Sequence, residues 1–168
     1  MSIVACRVYR DGFEISSDSI SVRYCTQEKG ENTKHAKLAE VNGIVIGGVG
    51  YAEGNSLMQL FLCTHGIAAQ DERAILEFVS EYSDWKKSKT GNGAVENSYI
   101  IGVGKKAFAI EGWWVSEIKT YYAIGAGMDY ALAALSFGRS TADAVAVAAK
   151  LSIFCELPVI TISKRGAK

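Results

Sequence analysis

Residues 2–18 read Ser2-Ile3-Val4-Ala5-Cys6-Arg7-Val8-Tyr9-Arg10-Asp11-Gly12-Phe13-Glu14-Ile15-Ser16-Ser17-Asp18. Positions 3–9 and 13–18 are β-prone runs, and the Asp-Gly between them is a strong short-range hairpin signal. The chain therefore opens with a hairpin, and Asp18 closes its second strand. A polar stretch, 26–33, interrupts the pattern. Residues 37–41 and 43–49 then form a second strand pair around the turn Asn42-Gly43.

Beyond this pair the period changes from two to that of a helix. Leu57, Leu60 and Phe61 recur at helical spacing within 52–66, and Ile75, Leu76, Phe78, Val79 and Tyr82 within 71–87. Asp71-Glu72 at the start of the second helix and Lys86-Lys87 at its end suit the helix dipole. A loop is expected over 88–96, where Gly91 and Gly93 fall. Short strands follow at 98–103, 107–110, 113–118 and 121–124, read as one antiparallel run. Helices are expected at 129–137 and 141–153, the latter capped by Ser140 with Asp143 three positions on. Its stripe Ala142, Val145, Ala146, Ala149 reads as core. A final strand, 157–163, has Pro158 near its start, which places it at a sheet edge or at the beginning of a strand. About nine antiparallel strands with segregated helix pairs make an α+β domain in which helices cover sheets.

The 168 residues suit one domain, 1–168, with 49% hydrophobic and 21% charged side chains. Eighteen basic against eighteen acidic residues leave no net charge to draw nucleic acid or an anionic membrane surface. No stretch approaches the ~20 apolar residues of a membrane span, and residues 1–10 lack the pattern of a secretion signal. Cys6, Cys25, Cys63 and Cys155 form no C-x-x-C pair, and His35 and His65 stand at no zinc spacing from them, so no metal is expected. The thiols read as reduced and the compartment as cytoplasmic.

The glycines of Gly47-Gly48-Val49-Gly50 and Gly125-Ala126-Gly127 lack the third glycine of a dinucleotide fingerprint and carry no Walker lysine, so no nucleotide cofactor is expected. They let the backbone turn into a helix, and bare N–H groups at such a turn can also stabilise an oxyanion. Neither histidine has a G-x-S-x-G partner. A hydroxyl can instead be activated by the chain's own α-amine, whose reference pKa of about 7.7–8.0 lies near working pH. This chemistry requires Ser, Thr or Cys as the first residue, and Ser2 qualifies once Met1 is removed.

With Ser2-Ile3-Val4 at the start, Asp18 follows sixteen positions later and Lys34, near Leu38, sixteen after that. Together with Val45-Ile46-Gly47-Gly48-Val49-Gly50 and Tyr122-Ala123-Ile124-Gly125-Ala126-Gly127 through Tyr130-Ala131, this resembles a proteasome β-type subunit, and above all the bacterial HslV-type peptidases. The likeness covers nearly the whole chain.

The resemblance implies a four-layer αββα sandwich of the N-terminal nucleophile hydrolases and a peptidase acting through Ser2 in place of the family's threonine. It implies that Lys34 lowers the amine's proton affinity and steadies the nucleophile, that Asp18 orients Lys34, and that the Gly48 N–H, with Gly47 as rival, receives the oxyanion. By the same offset Ser21, Asn32 and Ala36 would line the pocket for the residue before the cut, suiting an uncharged side chain. The expected partners are polypeptide substrate, identical subunits in a ring of six or seven, stacked in pairs, and an ATP-dependent unfoldase. Two departures stand out: Ala126 where the family has serine, and Glu156 in the place of its late aspartate. They keep two alternatives open: a catalytically silent ring-forming protein of the same fold, and an N-terminal nucleophile amidase acting on small amides.

Overall fold

The computed structural model describes residues 2–24, 26–28 and 36–166, and of Arg23 only the backbone. Strand β1 (Ile3–Tyr9) turns through Arg10-Asp11 into β2 (Gly12–Ser17), with Tyr9 opposite Gly12 and Val4 opposite Ser17. A short hairpin that the sequence pattern did not reveal, β3 (Ser21–Arg23) with β4 (Thr26–Glu28), follows. The second expected hairpin is β5 (Leu38–Val41) and β6 (Ile44–Val49). Asn42 at φ 51° and Gly43 at φ 79° join them, the two left-handed residues that a tight turn between twisted strands requires.

Helix α1 (Ala52–Leu62) ends four residues earlier than its pattern implied. Helix α2 (Glu72–Thr90) runs three residues longer, because no breaker stands before Gly91, whose N–H closes on the Lys87 carbonyl. Asp71 caps α2, its carboxylate accepting the Ala74 N–H at 2.9 Å. Strands β7 (Ser98–Val103), β8 (Lys106–Glu111) and β9 (Trp114–Glu117) then form a meander beside β6. Strand β10 (Tyr121–Gly125) leaves it and pairs with β1, so the four strands read as one run divide between two sheets.

Helices α3 (Met128–Ser136) and α4 (Thr141–Leu151) follow, and the Ser140 hydroxyl accepts the Asp143 N–H at 3.1 Å. The buried stripe of α4 is Ala144, Val145 and Ala148, while Ala146 is exposed, a rotation from the expected face. Strand β11 (Ile160–Arg165) starts beyond Pro158 and takes an edge beside β2.

The sheets have the orders β10-β1-β2-β11 and β5-β6-β7-β8-β9, all neighbours antiparallel. Three apolar layers separate four structural ones. Met58, Phe61, Ile75, Phe78 and Tyr82 of α1 and α2 pack with Ile46, Tyr99, Ile101 and Phe108 of the larger sheet. Val4, Phe13 and Ile15 meet Val45, Ile100 and Ala109 between the sheets. Ile3, Ala5 and Ala123 meet Ala131, Leu135, Ala144 and Val145 of α3 and α4. The architecture is the α+β, αββα sandwich. Among the described residues no helix is long and apolar enough to cross a membrane.

Candidate active site

The hairpin register brings the first residues of the chain to Asp18. Because Val4 faces Ser17, Asp18 falls opposite Ile3: its N–H donates to the Ile3 carbonyl at 3.2 Å, and its Oδ1 accepts the Ile3 N–H at 3.1 Å. Oδ2 accepts the N–H groups of Ile20 at 3.4 Å and Glu156 at 3.2 Å. The carboxylate is fully buried, where an anion survives only if it is paired and hydrogen-bonded. Its counter-ion is Lys37, whose Nζ lies 2.9 Å from Oδ1 with the side chain 7% exposed.

Lys37 stands at the approach to β5, three positions beyond Lys34. Lys34 and Asn32 lie outside the described residues, as do Met1, Cys25 and His35. Burial pushes the Lys37 ammonium below the ordinary lysine range, opposed by the charge of Asp18 and the hydrogen bond between them.

Ser2, 3% exposed, precedes β1 directly. Its carbonyl accepts the Gly127 N–H at 3.4 Å, so the Gly125-Ala126-Gly127 turn lies against it. Ala126 is exposed and brings no hydroxyl to this turn. The loop after α4 completes the site with its backbone. The Glu156 N–H reaches Asp18 and its carbonyl accepts from Ser19 at 3.1 Å, while Cys155 is buried nearby, its thiol pushed up by burial and by Asp18.

Ser2 and Lys37 open on one small pocket, about 90 Å³, with Ile20, Ser21, Gly50 and Ala52 among its walls. Ser21 thus lies in this lining. Ala36 is not in that lining: it is exposed, and its carbonyl accepts from Gln59 at 2.8 Å. The glycine turn also differs from expectation. The Gly48 N–H donates to the Lys37 carbonyl at 2.9 Å, extending the β5–β6 ladder, and Gly47 is paired inside β6 between Leu38 and Ile100. Gly50, at φ 125°, reaches the pocket instead, and no acceptor among the described residues takes its N–H.

Two buried amides brace this turn. Asn97 accepts the Tyr51 N–H at 2.9 Å and donates to the Tyr51 carbonyl at 2.8 Å and to Asn55 Oδ1 at 2.9 Å. Asn55 donates to the Gly48 carbonyl at 3.2 Å. Neither asparagine carried a sequence signal, since a lone amide before a strand or within a helix belongs to no motif. A larger pocket of about 340 Å³, lined by Tyr51, Lys86, Asn97 and Tyr99 among others, contains neither Ser2 nor Lys37. Among the described residues no group of three or more His, Cys, Asp or Glu side chains gathers to hold a metal.

Solved structures share this arrangement of layers. A Thiobacillus denitrificans BPH in complex with epoxomicin superposes with a TM-score of 0.86 at 18% identity, over 98% of this chain and 100% of that one. The eukaryotic HslV from Trypanosoma brucei gives 0.77 at 20% identity, over 98% and 99%. Anbu, an ancestral β-subunit from Yersinia bercovieri, gives 0.71 at 13% identity, over 97% and 81%. The fold is that of the proteasome β-type and HslV-type proteins. No protein-family model and no curated protein matches the sequence.

Proposed function

We propose that this chain is a proteasome-like peptidase whose nucleophile is the Ser2 hydroxyl, freed for catalysis when Met1 is removed. The observation that carries the reading is the buried Asp18–Lys37 pair, 2.9 Å apart, with Lys37 and Ser2 opening on the same pocket. Lys37 takes the role that the resemblance implied for Lys34. The α-amine accepts the Ser2 proton as Oγ bonds to the scissile carbonyl carbon. The carbonyl electrons move to oxygen, which the Gly50 N–H receives. Collapse breaks the C–N bond, the leaving amine takes the proton, and water activated by the same α-amine hydrolyses the acyl-enzyme. The positive charge of Lys37 favours the neutral amine and the developing alkoxide.

Ring assembly is part of the same reading. Leu151, Ile153 and Leu157 at the end of α4 and in the following loop are exposed, as is Phe137 after α3, and large exposed apolar side chains of this kind suit a subunit contact. A ring of six or seven copies, stacked and fed by an ATP-dependent unfoldase, would confine an unselective nucleophile to a cytoplasmic chamber. Ala126 supports a second reading, a silent assembly subunit of the same fold, because it brings no hydroxyl to the turn that lies against Ser2.

Intact mass decides between them. The peptidase reading expects protein lacking Met1 that gains one adduct of a peptide vinyl sulfone, mapped to Ser2. Full-length, unlabelled protein would sink it. A pH profile tests the role of Lys37. A lysine held below its ordinary value of 10.5 loses its proton early, so the labelling rate should fall on the alkaline side before pH 10.5. An alkaline limb at or above that value would contradict the assignment.

A further inference from the structure

Resting on the peptidase reading, we infer that Asn97 is a positioning residue that aims the Gly50 N–H at the oxyanion through Tyr51. One carboxamide holds both backbone groups of Tyr51, at 2.9 Å and 2.8 Å, as a neighbouring strand would. Its second N–H bond goes to Asn55 Oδ1, and Asn55 in turn holds the Gly48 carbonyl. The turn is therefore clamped on both sides of Gly50.

Asn97 packs directly on Gly50: a Cβ at that position would lie 2.5 Å from Asn97 Oδ1, so the amide holds its place only against a glycine. The clamp also settles which donors are spent. Tyr51 gives its N–H to Asn97 and Gly48 gives its own to Lys37, so of the glycines in this turn it is Gly50 that lines the Ser2 pocket with its N–H uncommitted among the described residues. Preorganised donors act because they need not reorient as charge develops, so a residue that freezes the turn acts on carbonyl chemistry in particular.

Two reagents with different demands separate this role from simple support of the fold. A peptide β-lactone acylates Ser2 through a carbonyl oxyanion; a peptide vinyl sulfone alkylates it by conjugate addition, with no such oxyanion. In Asn97→Ala, acylation should slow about 10- to 100-fold more than alkylation, below the roughly 10²–10³ cost of deleting an oxyanion donor outright. Asn97→Asp keeps an acceptor for the Tyr51 N–H and should recover part of that gap. It also decides the matter if the alanine variant does not fold.

An acylation-to-alkylation ratio unchanged from the parent in the folded variants would overturn the positioning role alone. A parent that forms no Ser2 adduct with the vinyl sulfone would overturn the peptidase reading, and this inference with it.

Discussion

Lys37→Ala is expected to slow Ser2 acylation and peptide turnover about 10²- to 10⁴-fold, the cost typical of losing a positioned acid–base partner, with KM changed far less. Two effects combine. The α-amine loses the neighbouring positive charge that keeps it neutral, and the attacking oxygen loses the charge that steadies it. The fold should survive, because Asp18 retains the N–H donors of Ile3, Ile20 and Glu156 when the ammonium is gone.

Lys37→Arg should not restore the rate, since a planar guanidinium does not fit where a compact ammonium meets Oδ1 at 2.9 Å. Lys34→Ala is the informative comparison, expected to stay within a few-fold of the parent. A large loss there with Lys37→Ala nearly normal would return the catalytic lysine to the position that sequence spacing indicated. Steady-state kinetics with a fluorogenic peptide reads all three variants.

The largest stability effect should come from Asp18→Asn. The substitution leaves Lys37 buried without its counter-charge and turns an amide N–H₂ toward N–H donors that the carboxylate now satisfies. Removing one partner of a buried ion pair costs about 3–5 kcal/mol, a large share of the 5–15 kcal/mol that stabilises a typical domain. For a chain of this size, at roughly 2–4 °C per kcal/mol, Tm should fall by roughly 6–20 °C.

The pH dependence follows from Lys37. Its folded pKa already lies below 10.5 and should drop further without Asp18. Between that depressed value and 10.5 the unfolded chain binds more protons than the folded one, so folding stability rises with pH. The deficit of Asp18→Asn should therefore shrink as pH rises toward 10. A deficit that grows over that interval would mean the charge on Lys37 is not what destabilises the variant. Thermal unfolding of parent and variant at several pH values measures it.

The hairpin end of the site was legible in the sequence for a local reason. Once Arg10-Asp11 makes a two-residue turn before Gly12, the strand register alone carries Asp18 opposite Ile3, next to Ser2, and the buried faces of the flanking strands resist slippage. The same locality made the Asn42-Gly43 hairpin, both capped helices and the order of elements readable. It failed where helix ends lacked a breaker, as at Thr90. It failed also where strands too short and polar to bury a face, Ser21–Arg23 and Thr26–Glu28, carried no period.

The other half of the site depends on contacts between elements. Lys37 meets Asp18 because the two sheets pack face to face, and nothing in the eighteen positions between them encodes that approach. A spacing carried over by analogy lands on Lys34, while the β5–β6 pairing, with Leu38 opposite Gly47, places Lys37 at the junction. The donor in the glycine turn was likewise undecidable from four similar residues. Gly48 is spent on a ladder bond to Lys37, and Gly50 reaches the pocket through a turn held by Asn97, forty-six positions from Tyr51. Local turn chemistry and alternation thus settled the strands, their register and the Ser2–Asp18 neighbourhood. Which described lysine pairs with Asp18 and which glycine lines the Ser2 pocket was decided only by how the layers close, since burial and hydrogen-bond partners are properties of the packed whole.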